Sequence, residues 1–335
     1  MKYRFLYNKL KSHLSKKHIS LIVGPRQVGK TTIMQQLHSS INKESPYSYF
    51  ISLEDKQIKE SFDTNPENLF EYLPPINKNQ RIILFIDEIQ YLNDPSNFLK
   101  YHYDKYQQHL KFIVSGSSNF YIDKKFTDSL AGRKRLFKLP SLSFEEFLYF
   151  KNREDILPHI NTGKLPGIYI DELNKLLHEY LIFGSYPEVV TEPDNEEKKA
   201  ILKELSTSYI KKDIVESGLQ SSDLYYQTLQ IIAAQTGTLF NTNTLSAILK
   251  KSNQTIDSYV DTMKKSFHIV EIKPFYRNSI KEIRKMPKLF FTDMGLRNYF
   301  AQNFEPIAIR EDKGALFENF VFRRFYDNYD ELDIQ

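Results

Sequence analysis

Gly24-Pro25-Arg26-Gln27-Val28-Gly29-Lys30-Thr31, followed by Thr32, fits the pattern G-x-x-x-x-G-K-[ST]. Glycines at the two ends let the backbone wrap closely, so that N–H groups point at phosphate oxygens. A helix starting at the second glycine adds a dipole that favours anions. Lys30 would reach the β and γ phosphates of a nucleoside triphosphate, and Thr31 would offer its hydroxyl to Mg²⁺. The competing reading is a Gly-rich turn that matches by chance. Context argues against it, because the apolar run Ile19–Val23 enters the loop and the helical stretch Thr31–Ile41 leaves it. Residues Gly24 to Thr32 are therefore predicted to hold ATP with Mg²⁺.

A second group is Ile82-Ile-Leu-Phe-Ile-Asp87-Glu88, an apolar strand ending in two acids. In the order and distance expected after a phosphate loop, Asp87 would hold Mg²⁺ and Glu88 would polarise the attacking water. An Asp-Glu pair without that context is usually a solvated loop. Ser115, Ser117, Ser118 and Asn119 end the next strand, and a polar residue there could sense the γ phosphate. Ser117 is the candidate, with a plain Ser-rich turn as the alternative. Arg133, in Leu130-Ala-Gly-Arg133, could bring positive charge to a transition state of its own chain or a neighbour's. Its bland alternative is a solvated surface arginine.

The elements that would position these residues alternate between short strands and helices. Ile19–Val23, Tyr47–Leu53, Arg81–Ile86, Phe112–Val114 and Arg135–Leu139 read as strands of an α/β parallel sheet flanked by helices. After residue 150 the texture changes. Lys151–Pro166 reads as a linker, and Asp171–Phe183, Glu196–Glu216 and Leu224–Gln235 as amphipathic helices. The pair Thr242–Lys251 and Gln254–Lys265, then strands His268–Phe275 and Lys288–Phe291, has the order of a winged helix-turn-helix. Lys250, Lys251, Lys264, Lys265 and the basic turn holding Arg277, Lys281, Arg284 and Lys285 make duplex DNA a candidate partner. A solvated face or a protein-docking module are the alternatives. The expected division is 1–155 for the P-loop domain, 165–222 helical, 223–300 winged-helix-like and 301–335 a C-terminal segment.

Composition narrows the classes. Of 335 residues, 41% are hydrophobic and 26% charged, as in a globular protein, and the net charge is only +4. With no cysteine, disulfides, thiolate metal sites and cysteine nucleophiles are excluded. The eight histidines show no metal spacing, and no G-x-S-x-G elbow is present. Glu145-Glu146 after Ser143 reads as helix capping. Neither a signal peptide nor a run of roughly 20 apolar residues is found, so a cytoplasmic protein without membrane contact is expected.

The motif order GPRQVGKTT, IILFIDEIQ, FIVSGSS, LAGRKRLFKLPSLSFEEFL, LIFGSYPEVV and YIKKDIVE, then PKLFFTDMGLRNYF and GALFENFVFRRF, resembles one family. It is the prokaryotic AAA+-like ATPases whose P-loop domain precedes a domain of unknown function. The resemblance covers nearly the whole chain. It implies an AAA+-type core with Lys30 and Thr31 at the phosphates, and Asp87 and Glu88 at metal and water. Leu-Ala-Gly-Arg133 matches a recurring family stretch. Gly184-Ser-Tyr-Pro187 resembles a Gly-Gly-x-Pro motif that would close over the nucleotide through Pro187, although Ser185 replaces its second glycine. A helix-ending turn is the alternative. Gly314 to Val321 resembles the first helix of a PD-(D/E)xK nuclease region, with Glu318 as its first acid. The rest of that metal site is missing before Gln335, so no nuclease activity is expected. ATP hydrolysis that drives a conformational change is the expected function, with a slow nucleotide switch acting through protein partners as the alternative. Arg133 acting in trans would require a homo-oligomer.

Overall fold

The structure, a computed structural model, describes residues 2–43, 47–75, 81–116, 130–274 and 286–328. It divides into two compact units, Met1–Leu139 and Pro140–Gln335.

In the first unit, β1 (Ile19–Val23), β2 (Ser48–Ser52), β3 (Ile82–Asp87), β4 (Leu110–Gly116) and β5 (Lys134–Lys138) form one sheet in the order β2-β3-β4-β1-β5. Every pairing is parallel. The continuous apolar strands have a physical cause. All residues of β1 and β4 are buried, as a sheet covered on both faces requires. Helices α1 (Leu6–His13), α2 (Lys30–Asn42), α3 (Lys56–Thr64) and α4 (Pro95–Tyr106) accompany these strands. Local chemistry sets their starts. Asp55 accepts from the N–H groups of Gln57 and Ile58 at the head of α3. Asp94 caps α4, with Pro95 in its first turn. Phe62 of α3 stacks on Phe98 of α4 with ring centres 5.2 Å apart. The chain leaves β1 for the far edge at β2, returns through β3 to β4, and then places β5 on the other side of β1. Ligands of such sheets bind beyond the carboxyl ends of the strands, where the order reverses.

The second unit is mainly helical. It contains α5 (Phe144–Phe150), α6 (Leu157–Thr162), α7 (Ile170–Phe183), α8 (Pro187–Thr191) and the long α9 (Asn195–Ser217). These are followed by α10 (Ser222–Ala234), α11 (Thr242–Leu249), α12 (Asn253–Lys265), the antiparallel pair β6 (Ile269–Ile272) and β7 (Lys288–Phe291), α13 (Met294–Phe300) and α14 (Lys313–Asn328). The expected capping box at α5 is present between Ser143 and Glu146.

The segment expected as a linker, 151–166, is not one. It holds α6, and its Leu157, Ile160 and Leu165 pack on a core of Phe144, Phe147, Tyr180 and Leu181. Its polar, proline-containing composition misleads because a few spaced apolar residues, these three and the fully buried Ile156, face inward. The units divide instead between Leu139 and Pro140.

Buried polar side chains tie this second unit together. Asp293 caps α13 through the N–H groups of Gly295 (2.9 Å) and Leu296 (3.1 Å). It also accepts from the Ser185 N–H (2.8 Å) and the hydroxyls of Ser185 (3.0 Å) and Ser141 (3.1 Å). Asn298 donates to the terminal carbonyls of Leu181 and Ile182 on α7, each at 2.8 Å. Asn319 pairs with the Phe291 backbone through both its amide groups, at 3.0 and 2.8 Å, extending the edge of β7.

Candidate nucleotide-binding site

The phosphate loop leaves the carboxyl end of β1 and enters α2 at Lys30. Two glycines are required there by different constraints. A Cβ on Gly24 would lie 2.0 Å from the Leu139 carbonyl oxygen, and Leu139 in turn donates to Val23 O at 2.7 Å. Gly29 caps α2 with φ +93°, a left-handed conformation that side chains resist. Gln27 also sits at φ +57°, so the loop holds an unusual backbone shape. Val28 is fully buried beneath it. Lys30 is 5% exposed, and its ammonium donates to the carbonyls of Gly24 (3.0 Å) and Pro25 (2.7 Å). The cation therefore lies folded over its own loop, where an entering phosphate would compete for its protons.

Asp87 ends β3 and is 4% exposed. Its Oδ2 accepts from the Thr31 hydroxyl at 2.7 Å, and its Oδ1 from the Ser115 hydroxyl. Strand register explains the second contact. Ile86 pairs with Val114, so the following residues Asp87 and Ser115 lie side by side at the same edge. The same Ser115 oxygen accepts from the Glu88 N–H at 2.9 Å. Glu88 itself turns off the strand at φ +56°, and its carboxylate accepts from the Gln90 amide. Three segments distant in sequence thus share one hydrogen-bonded chain, Thr31–Asp87–Ser115–Glu88. Hydroxyl and carboxylate oxygens are hard donors of the type Mg²⁺ takes, so Thr31 and Asp87 fit that ion.

Two positioning residues escaped the sequence reading. Arg4, buried ahead of α1, donates to Val28 O at 2.7 Å and braces the loop from behind. Nothing in a lone N-terminal arginine signals that contact. Ser115 was named only as one of a polar run, and the register between β3 and β4 singles it out.

The remaining candidates are placed as follows. Ser117, Ser118 and Asn119 lie outside the described residues, as do Arg277, Lys281, Arg284 and Lys285. Arg133 precedes β5, and its carbonyl accepts from the N–H of Ile19 at the start of β1. That is the amino edge of the sheet, whereas the phosphate loop leaves the carboxyl edge, about 13 Å away at ~3.3 Å per residue. Its guanidinium is held by Asp104 at 2.7 and 3.1 Å. The structure therefore does not bring Arg133 to the loop of its own chain.

Pro187 opens α8 in the second unit. The Gly184 turn before it has a packing cause, because a Cβ there would lie 2.2 Å from Asp293 Oδ1 and 2.4 Å from the Gly295 nitrogen. The Ser185 hydroxyl adds one hydrogen bond to Asp293 (3.0 Å) and one to the Ser141 hydroxyl (2.9 Å), which accounts for a serine where the motif has glycine. Glu318 forms an exposed ion pair with Lys288 at 2.7 Å. Among the described residues no group of three or more His, Asp or Glu side chains is arranged to hold a metal.

Residues 16–148 match the model of a family described as an AAA domain, and residues 174–306 match a domain of unknown function (DUF8612). An uncharacterized protein of Haemophilus influenzae is 25% identical over 296 residues, covering 84% of this chain and 68% of the relative. Uncharacterized protein MJ1544 of Methanocaldococcus jannaschii is 27% identical over 315 residues, covering 91% and 65%. The chain thus spans about two thirds of the length of these curated relatives. Among solved structures, the ADP form of the Aeropyrum pernix ORC2 protein aligns with a TM-score of 0.40 and 12% identity, covering 95% of this chain and 93% of the other. C. elegans PCH-2 aligns with a TM-score of 0.32 and 12% identity, covering 78% and 65%. Residues 16–148, which include the phosphate loop, Asp87, Glu88 and Ser115, are similar to an AAA domain, and that match together with the geometry supports a nucleotide-binding, ATPase-type function.

Proposed function

We propose that the chain binds ATP with Mg²⁺ at the loop Gly24–Thr32 and hydrolyses it. The observation that carries this reading is the chain Thr31–Asp87–Ser115–Glu88 at the mouth of the loop. The loop N–H groups and Lys30 bind and neutralise the phosphates. Thr31 and Asp87 would hold Mg²⁺, which offsets charge on the β and γ oxygens. Glu88 orients the attacking water and takes its proton. Ser115 fixes the backbone of Glu88 and one oxygen of Asp87, so that the two acids keep separate tasks. Arg133 is proposed to act on a neighbouring copy in a homo-oligomer, because it lies at the far edge of its own sheet. Pro187 is proposed as a further nucleotide-binding residue. A cytoplasmic setting belongs to the same proposal. Among the described residues no helix is long and apolar enough to cross a membrane.

Steady-state hydrolysis by wild type, Lys30→Ala and Glu88→Gln tests the proposal. Turnover in wild type, lost with binding in Lys30→Ala and lost with binding retained in Glu88→Gln, is the expected pattern. Equal turnover in wild type and Glu88→Gln removes Glu88 from the chemistry. Tight binding with no turnover in wild type supports the switch reading instead.

Duplex DNA is proposed as a partner. The order α10-α11-α12-β6-β7, with Leu239 bridged to Lys288, supports a winged-helix reading. The outer face of α12 is not an open row of cations, however. Lys264 pairs with Glu271 (2.7 Å) and Asp261 (3.5 Å), and Lys265 with Asp261 (2.7 Å). This takes Lys264 and Lys265 out of the phosphate contact and leaves the exposed Lys250 and Lys251 in it.

A further inference from the structure

The first acidic residue of the chain is Glu44. Before it stand Lys2, Arg4, Lys9, Lys11, Lys16, Lys17, Arg26, Lys30 and Lys43, a run of cations with no carboxylate among them. The fold separates this set into two groups. Arg4 and Lys30 turn inward to the phosphate loop, whereas Lys9 and Lys11 on α1 and Lys16 and Lys17 in the loop entering β1 are exposed. None of those four is in an ion pair among the described residues. Neither α1, β1, α2, β4 nor β5 carries an acid. Asp104, near the same edge, is already held by Arg133.

The lysine-bearing loop is held in place from below. Arg81 donates to the carbonyls of Leu14 (3.3 Å), Ser15 (3.1 Å) and Lys16 (2.8 Å), fixing the path of the chain at Lys16 and Lys17. Beneath α1, Lys111 reaches His13 at 3.2 Å and donates to the His18 carbonyl. Arg135, exposed on the edge strand β5, pairs in register with Ser20, whose hydroxyl contacts His13 at 2.7 Å. The cations nearest in effect to His13 are Lys111, Arg135 and Lys16. Burial and this crowding hold His13 down to about 4, and burial with Arg81 nearby holds Lys111 down to about 7. The exposed Lys9, Lys11, Lys16, Lys17 and Arg135 have no counter-charge among the described residues, so that their charge is left to be met from outside.

We propose that Lys9, Lys11, Lys16, Lys17 and Arg135 form a surface that binds the phosphodiester backbone of nucleic acid. The proposal rests on the DNA reading above and moves the contact from the second unit to the first. A nucleic acid suits this surface better than a membrane does. Leu10 of α1 is 1% exposed and the residues beside the lysines are Asn8, Ser12 and Ser15, whereas the exposed Tyr3 and Phe5 stand ahead of the helix and not among the lysines. Contact is then by charge and hydrogen bonding, independent of base sequence. The same segment reaches the nucleotide site, because Arg4, just ahead of α1, braces Val28.

The test is fluorescence anisotropy of a labelled 20-base-pair duplex and of its single strand, at several salt concentrations, with the full chain. Variants are Lys9→Gln/Lys11→Gln/Lys16→Gln/Lys17→Gln, the milder pair Lys16→Gln/Lys17→Gln, and Lys281→Gln/Arg284→Gln/Lys285→Gln. The expected result is that the fourfold variant loses more than about tenfold in duplex affinity and flattens the salt slope by about 3–4, near 0.9 per lost phosphate contact. The pair should lose about half of that slope change, with ATP binding unaltered in both. The single strand distinguishes the source of phosphates, with a shallower slope expected for it. Unchanged duplex affinity in the lysine variants, with loss in the Lys281 variant, overturns this surface and leaves the DNA reading standing. No binding of either nucleic acid by wild type overturns both. Binding of phosphatidylserine vesicles as tight as that of duplex, lost in the same lysine variants, overturns the nucleic-acid assignment in favour of a membrane surface.

Discussion

Asp87 is shared between two hydroxyls, and that sharing decides how each neighbour should respond to substitution. Thr31 donates its hydroxyl to one carboxylate oxygen, while Ser115 donates to the other and accepts from the Glu88 N–H. Hydrogen bonds to charged groups contribute about 1.5–3 kcal/mol each. Ser115→Ala removes one of these from a buried acid and also frees the backbone that orients Glu88. Its kcat should fall roughly tenfold or more, with ATP affinity altered less. Ser117→Ala is the comparison, measured in the same steady-state assay. A larger loss in Ser117→Ala than in Ser115→Ala would return the sensing role to Ser117 and leave Ser115 a structural residue.

Loop and helix ends carry the next set of constraints. Gly184 packs where a methyl group would meet both the Asp293 carboxylate and the backbone nitrogen of Gly295. The side chain could give way, but the backbone of α13 would have to shift. Gly184→Ala should therefore cost about 2 kcal/mol, a drop of roughly 4–8 °C in the unfolding midpoint. Gly167→Ala is the matched control, because nothing lies within 4 Å of its added Cβ. Differential scanning calorimetry of the two variants checks this, and equal midpoints would show that the Gly184 turn relaxes freely. The comparison also separates a packing role for the Gly184 turn from a nucleotide role, since the former lowers stability without ATP present.

Ligand and proton linkage act on the molecule as a whole. If ATP with Mg²⁺ binds only the folded chain, nucleotide at 100 times its Kd adds about 2.7 kcal/mol of stability. The unfolding midpoint of wild type should rise on adding ATP and Mg²⁺, and that of Lys30→Ala should not. Protons give a second handle. His13 is lowered to about 4 in the folded chain by burial first and Lys111 next, so the native state holds it neutral. An unfolded chain, with His near 6.5, binds that proton more readily. The contribution of neutral His13 is therefore complete above pH 6.5 and lost as pH falls toward 4. Lys111, lowered to about 7 by burial and Arg81, behaves likewise at higher pH. Stability should climb between pH 7 and 10.5 as the buried amine loses its charge in the native state while the unfolded chain keeps it. Thermal melts from pH 4 to 10 should show both limbs. His13→Gln should flatten the acid limb and Lys111→Met the alkaline one. Limbs unchanged in the two variants would place the titration on other groups.

Residue type and spacing alone determined the phosphate loop, the Asp87–Glu88 strand end and the strand–helix alternation around them. The reason is local: a phosphate loop needs glycine at fixed offsets, and a doubly covered strand needs an unbroken apolar run, so both leave marks within a few residues. The β7 span Lys288–Phe291 and the capping box at Ser143 were legible for the same reason. What only the tertiary structure decided depends on pairing between distant segments. The β3–β4 register selects Ser115 to share Asp87, and the parallel sheet sends Arg133 to the edge away from the loop. Asp293 gives Gly184 and Ser185 a packing purpose that their motif did not suggest. Arg4 and Arg81 belong to the same class, since their partners are backbone carbonyls, which every residue carries and no sequence pattern marks.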